Sequence, residues 1–271
     1  MVKTQNYIWK SDRSLAVNEF DYQLYYYVAE HNDLITKARH DLTARELKIM
    51  DFIISKIKPT DNTFLTVKTS MYELSNILDL KRNGKNYSDL AKNLENLRQK
   101  SVVIYDEEKK SITQTGWLLQ SKYWENGQVE MLLSKDLEPY LLNLKANYTQ
   151  YLLADTVQLN SKYAILLYKL MRESDMSNGT KITILEGSPE EYKEWLGAPK
   201  SYDYGRLKDK ILKPAIEEIN LKIEDMDLEI LQKKSGRRVI CAAIRNNFTH
   251  QSVISSEGPQ VPLFNWLKEK K

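Results

Sequence analysis

Three stretches of the form Ser/Thr-x-x-Glu that open an apolar run of helical spacing constrain this chain before any other feature: Thr43 to Glu46, Ser70 to Glu73 and Ser188 to Glu191. In such a capping box the first side chain accepts a backbone N–H of the opening helical turn, and the glutamate reaches back to the N–H of the cap itself. Each box therefore predicts a helix start. Behind Thr43, preceded by Leu42, the residues Leu47, Met50, Ile53, Ile54 and Ile57 recur at helical spacing until Pro59 stops the pattern. Behind Ser70 the stripe is Leu74, Ile77 and Leu78, and behind Ser188 it is Tyr192, Trp195 and Leu196, with Pro189 at the first helical position and Gly197 where a C-cap is wanted.

The segments downstream of the two short capped helices say more about function. After the turn Arg82-Asn83-Gly84, the residues Tyr87, Leu90, Leu94 and Leu97 line one face of a helix; Lys85, Ser88, Lys92, Asn93, Asn96 and Gln99 supply donors and acceptors of the kind that touch DNA. Six basic residues (Lys81, Arg82, Lys85, Lys92, Arg98 and Lys100) surround only Asp89 and Glu95. A strand is predicted ahead of this pair of helices at Phe64 to Val67. A β-hairpin is predicted after it, from Val102 to Tyr105 through the polar Asp106 to Lys110 and back along Trp117 to Leu119. Helix, strand, two helices and a hairpin is the order of a winged helix.

The second half repeats the order without repeating the sequence. Ser161 to Met171 reads as a helix, Lys181 to Ile184 as a strand and Pro189 onward as the short capped helix. Tyr204, Leu207, Ile211, Ala215 and Ile219 then form a helical stripe with Arg206, Lys208, Lys210 and Lys213 around it, and Pro214 predicts a kink or an interruption. Met226 to Leu231 and Arg237 to Ile244 make a second hairpin. Between Leu231 and Arg245 lie five basic residues, Lys233, Lys234, Arg237, Arg238 and Arg245, and no acidic one. The fold expected is α+β, two tandem winged-helix domains. An N-terminal segment (1–30) precedes a first domain (31–150), a second (151–248) and a linker with tail (249–271). The Tyr-rich stretch from Tyr7 to Val28 is compatible with a strand around Phe20 and Tyr22 or with a short amphipathic helix.

Several functions are disfavoured. The net charge of +3 does not by itself announce a nucleic-acid binder. Gly84-Lys85 lacks the upstream glycine and the hydroxyl of a P-loop. The histidines, His31, His40 and His250, form no closely spaced pair, and one cysteine permits neither an intrachain disulfide nor a Cys-based zinc site. Cys241, inside Val239 to Ile244, reads as a buried core residue. With 17 tyrosines, an isolated one is a packing residue before it is a nucleophile. No cofactor, metal or catalytic residue is expected, so the chain is read as a non-enzyme. The polar N-terminus and the lack of a long apolar run make a cytoplasmic protein without a membrane partner the expectation.

Five segments carry a resemblance: His31-Asn32-Asp33-Leu34-Ile35; Leu137 to Lys145 followed by Tyr148-Thr149; Leu159 to Ala164 with Leu167-Tyr168; Leu212 to Asn220; and Lys233 to Val239. Together they resemble the replication initiators (Rep proteins) of iteron-containing, theta-replicating plasmids, the family that includes the F-plasmid initiator. The resemblance implies monomers that bind directly repeated origin sequences in double-stranded DNA, a second domain making most base contacts, and dimers formed through the first domain that repress their own gene. It also implies opening of adjacent A·T-rich duplex and entry of host initiator and helicase. The acidic first wing (Asp106, Glu107 and Glu108) departs from a phosphate-binding surface, and the Tyr-rich start has no counterpart in the family.

Each functional motif has a plainer reading. The basic wing could be a solvated turn, and the polar face of the first recognition helix a hydrated surface. The segment Gln260-Val261-Pro262-Leu263-Phe264, with Trp266 beyond, resembles the pentapeptide that docks replication proteins on the sliding clamp, yet Leu263, Phe264, Trp266 and Leu267 could equally fold back on the body or a neighbouring subunit. The competing function is a winged-helix transcriptional repressor with no replication role; a tyrosine-dependent nickase or recombinase ranks third.

Overall fold

A computed structural model describes residues 24, 26–57, 66–80, 84–106, 109–178, 182–236 and 238–248. The expectations for Phe20 and Tyr22, the Arg82-Asn83 turn, Arg237 and the tail from residue 249 lie outside the described residues. The first unit begins with β1 (Tyr27–His31), α1 (Asn32–Thr36) and β2 (Ala38–Arg39). The central helix α2 (Ala44–Ser55) starts at the predicted capping box, with Thr43 and Glu46 bonded reciprocally. Leu47, Ile49, Met50, Phe52, Ile53 and Ile54 are all buried, so α2 is enclosed on nearly every side rather than on one stripe.

β3 (Val67–Ser70) runs straight into the second capping box and α3 (Met71–Ile77). The strand lies further on than the predicted Phe64 to Val67. Its register with β7 (Gln128–Leu133) pairs Val67 with Met131 and Thr69 with Val129, placing four buried side chains together. α4 (Gly84–Gln99) buries Leu90, Leu94 and Leu97 completely, as the spacing requires.

The first wing corrects the reading of Trp117 to Leu119 as a return strand. β4 (Ser101–Asp106) pairs with β5 (Ser111–Gly116), from Ser101 opposite Gly116 to Asp106 opposite Ser111, so the hairpin is complete before Trp117. β5 is polar because much of it faces solvent, which removes the apolar signal. Trp117 instead enters the core against the edge of His40, and Leu118 opens β6 (Leu118–Tyr123), which pairs with β7 in a separate sheet. A 3-10 turn (Lys135–Leu137) and α5 (Glu138–Leu141) lead to β8 (Tyr148–Leu152), antiparallel to β1, and then to α6 (Leu153–Gln158).

The long helix α7 (Lys162–Asn178) extends past the predicted end at Met171. β9 (Ile184–Gly187), not Lys181 to Ile184, is the next strand, because Leu185 is the residue that pairs with buried Ile244. Gly187 lies so close to Trp195 that a Cβ there would stand 2.7 Å from the indole ring. α8 (Pro189–Trp195) has its capping box, and Gly197 adopts φ +56°, the left-handed conformation of a glycine C-cap. Tyr192 and Leu196 are fully buried and Trp195 partly so.

The second recognition helix comprises α9 (Tyr204–Leu207), a π-helical turn (Lys208–Leu212) and α10 (Lys213–Lys222). Pro214 does not break it. The N–H of Lys213 bonds to the carbonyl of Lys208, five residues back, and this widened turn accommodates a ring that would clash in a regular helix. β10 (Leu228–Ser235) and β11 (Arg238–Asn246) form the second wing, with Gly236 at φ +60° in the turn. Ala242 and Ile244 point inward and are fully buried; Cys241, on the opposite face, is half-buried rather than the core residue expected.

Three charged side chains are buried where α2, α7 and the β1–β8 pair meet. The Lys169 ammonium lies 2.6 Å from Asp51 Oδ1 and 3.2 Å from Glu30 Oε1, and Tyr151 donates to Glu30 at 2.7 Å. Burial, together with the Glu30 charge, raises the Asp51 carboxyl above its usual range despite Lys169, and Asp51 Oδ2 has no partner among the described residues. A raised carboxyl contributes stability that is full below about pH 3.9 and is lost as pH rises through the folded-state value. Asp51→Asn should therefore weaken the fall in urea midpoint expected as the pH is raised from about 4. Lys169→Met, which leaves the acids uncompensated, should cost about 3–5 kcal/mol in a urea titration.

Candidate nucleic-acid interface

A winged helix reads DNA with the solvent-facing side of its second helix, so the polar face of α4 sets the first candidate surface. Lys85, Ser88 and Lys92 are exposed there, and Asn93 and Asn96 half-buried. Asn93 donates from Nδ2 to the Asp89 carbonyl at 2.6 Å, which ties it to its own helix. An open groove of about 510 Å³ runs beside this face, lined by Ser88, Lys92, Glu95 and Arg98 of α4 and by Ser121 and Tyr123 of β6. The β6 residues are not singled out by the sequence reading, because it does not recognise the hairpin that carries them. The alternation of Val129, Met131 and Leu133 is the signal available for it.

Lys100 belongs to the fold rather than to this surface. Its ammonium bonds Glu46 Oε2 at 2.8 Å and the Asp41 carbonyl at 2.9 Å, serving a carboxylate that is 1% exposed. At the first wing, Asp106 accepts from the Lys109 backbone at 2.9 Å and from its ammonium at 2.8 Å, and these bonds hold its carboxyl below the usual range.

The second surface begins at Asp203, which caps α9 by accepting the Arg206 N–H at 2.7 Å. Arg206 and Lys210 are exposed and Lys208 half-buried. Lys213 is exposed and ion-paired with Asp209 at 2.9 Å. Tyr204 is set apart from these: its ring packs against the core, its hydroxyl is enclosed without a partner among the described residues, and burial raises its pKa. On the second wing, Lys233, Lys234 and Arg238 are exposed near the turn. The pairing slips from Lys233 opposite Cys241 to Lys234 opposite Val239, leaving Ile240 as the extra residue of a β-bulge. Arg245, counted with the basic cluster in the sequence, is ion-paired with Glu229 across the hairpin. Among the described residues, Lys85, Lys92, Arg206, Lys208, Lys210, Lys233, Lys234 and Arg238 form no ion pair, so their charge is available to a polyanion.

Residues 27–172 match the family model described as "Initiator Replication protein, WH1", and residues 188–242 match "Initiator Rep protein, WH2". The chain belongs to the initiator replication protein family. Its two winged-helix domains are those of an initiator Rep protein, in the order the sequence suggested. The fold is also that of a solved Pi initiator protein, described in complex with iteron DNA, at 20% identity and a TM-score of 0.67, over 82% of this chain and 97% of that one. Domains 2 and 3 of RctB match at 8% identity with a TM-score of 0.45, over 77% of this chain and 84% of that one, too distant to carry an argument. In this initiator, no helix among the described residues is long and apolar enough to cross a membrane.

Because Lys100 neutralises a buried carboxylate, Lys100→Met should act on folding and not on DNA. Thermal unfolding should show a loss of about 1–3 kcal/mol, while the salt dependence of DNA binding stays that of the wild type.

Proposed function

We propose that this initiator binds directly repeated sites in double-stranded origin DNA, without catalysing a reaction of its own, and that several bound copies strain adjacent A·T-rich duplex until it opens. The observation carrying this reading is the set of unpaired cations on both recognition helices and the second wing of a chain whose net charge is only +3. The first winged-helix unit would contact DNA and a second copy of the chain, and the second would make most base contacts. Arg206, Lys208 and Lys210 enter the major groove, with Lys213 beside them and Tyr204 supporting the helix from beneath. Lys233, Lys234, Arg237 and Arg238 hold phosphates, and Lys85, Ser88, Lys92, Asn93 and Asn96 read one end of the site.

The dimer would repress the initiator's own gene, and host initiator and helicase would enter the opened duplex in the cytoplasm. The tail residues Gln260, Leu263, Phe264 and Trp266 would dock on the sliding clamp. Binding to labelled fragments from the region flanking its gene, with unrelated DNA as competitor, tests the reading. Stepwise occupancy that counts repeats supports it. Occupancy of a single inverted promoter site would replace it with a repressor.

Replacing Arg237 and Arg238 by alanine should weaken binding to all sequences and flatten the log–log salt slope by about two units, at about 0.9 per phosphate contact. Lys92→Ala with Asn96→Ala should instead change the bases preferred at one end of the site, read by selection from a randomised repeat.

A further inference from the structure

The first family match runs to residue 172 and so takes in α6 and most of α7, past the boundary near residue 150 expected from the sequence; the second recognition helix is anchored to α7 at two separate points. At the start of α7, Ser161 caps the helix, accepting the Tyr163 N–H at 3.2 Å and, through its carbonyl, the Ile165 N–H at 3.0 Å. The two backbone N–H groups at that cap are taken by α10: Asn160 and Ser161 donate to the Glu218 carboxylate at 2.6 and 3.1 Å. Lys222, one turn further along α10, donates to Glu218 at 2.7 Å and to the Gln158 carbonyl at 2.7 Å. A carboxylate beside a helix N-terminus is favoured by the unpaired N–H groups there. The second anchor is Arg172, whose guanidinium makes a two-pronged pair with Asp225, at 2.6 and 2.7 Å, in the loop after α10. On its other side Arg172 meets the Tyr168 hydroxyl at 3.1 Å and Asp155 of α6 at 3.4 Å.

Arg172 lies roughly 16 Å along the α-helix from Ser161, at about 1.5 Å per residue. Two directional contacts at that separation restrain the angle between the helices more tightly than either alone. Further polar contacts across the join include Arg39 with Glu194 at 3.5 Å and Lys162 with the Gly197 carbonyl at 3.4 Å, both longer and involving exposed groups, and the hydrogen bond from the Thr183 hydroxyl to Asp175 near the end of α7. Apolar packing of α7 against α10 and β9 joins the domains without fixing direction, whereas Glu218 and Arg172 supply charged, directional contacts at both ends of that packed surface. The same continuous helix carries Arg206, Lys208 and Lys210 toward its start and Glu218 toward its end, so the angle of the anchor is the angle at which the basic half is presented.

We infer that Glu218 and Arg172 are positioning residues that set the spacing between the DNA surfaces of the two domains, and thereby the length of DNA repeat the initiator accepts. This use of the anchor rests on the DNA-binding reading above; the anchor itself does not. It is tested in the full chain with Cys241→Ser and dye-labelled cysteines at the exposed positions Leu119 and Leu221. Energy transfer in free protein should give one narrow distribution, and Glu218→Gln with Arg172→Gln should broaden or shift it while circular dichroism confirms folding. Arg172→Lys, which keeps the charge but not the two-pronged geometry, should fall between. An unchanged distribution in the folded double variant overturns the inference.

The DNA arm uses a repeat from the gene-flanking region with one or two base pairs inserted at its centre, each rotating the halves by about 35°. The wild type should lose at least about tenfold in affinity on insertion, and the double variant less than about threefold, from a weaker starting point because pre-organisation is gone. An equal spacing penalty in both proteins overturns the inference. If the wild type binds no repeat specifically, the function proposed above fails, whereas the anchor is judged by energy transfer alone.

Discussion

The position of Lys169 between Glu30 and Asp51 is the constraint on which the rest of this molecule depends. Desolvating one ammonium and two carboxylates is costly, and the charges that meet at hydrogen-bond distance offset it only in part, since Asp51 Oδ2 lacks a partner among the described residues. That requirement admits one rotational setting of α7 against α2 and the β1–β8 pair. With Lys169 turned inward, Arg172 lies on a neighbouring face less than one turn on, toward the second domain, and the N-terminus of α7 meets Glu218. The buried ion cluster thus acts with the apolar face of α7 in setting how the first domain presents the helix to which the second is attached.

The same internal use of acids explains how a chain with 40 basic and 37 acidic residues acquires basic tips. Glu30, Glu46, Asp51, Asp155, Glu218 and Asp225 are engaged in internal pairs, several of them largely buried. Lys213 and Arg245 apart, the described cations that face outward on the basic halves of the two recognition helices and on the second wing form no ion pair. Net charge is therefore a poor guide to the surface potential of this initiator, because the two signs are partitioned between interior and surface.

Features determined within a few residues were legible in the sequence: the three capping boxes, the stripes of α2 and α4, the glycine cap at Gly197 and the second wing. Features that depend on distant partners were not. β3 and β9 sit about three residues beyond their expected places because their limits are set by pairing with Met131 and Ile244, not by local composition. β5 escaped notice because its exposed side makes it polar, and the apolar Trp117 and Leu118 drew the hairpin past its true end. Lys169, Asp51 and Glu30 look like ordinary surface residues, since nothing local shows that 118 residues of chain bring Lys169 to Asp51. For the candidate site, the residue types on α4, α9 and the wing marked the surfaces. Only the packing separated inward-facing Tyr204, Lys100 in its pair with Glu46, and Arg245 in its pair with Glu229 from cations that are unengaged.

The central claim is that both winged-helix domains contact one DNA site together, held in register by α7. Hydroxyl-radical footprinting of the full-length initiator on a single repeat from the region flanking its gene tests it most directly. The account predicts two protected stretches within the repeat, one per domain, appearing at the same protein concentration. Protection of one stretch alone, with the other half of the repeat cleaved as in free DNA, would contradict it.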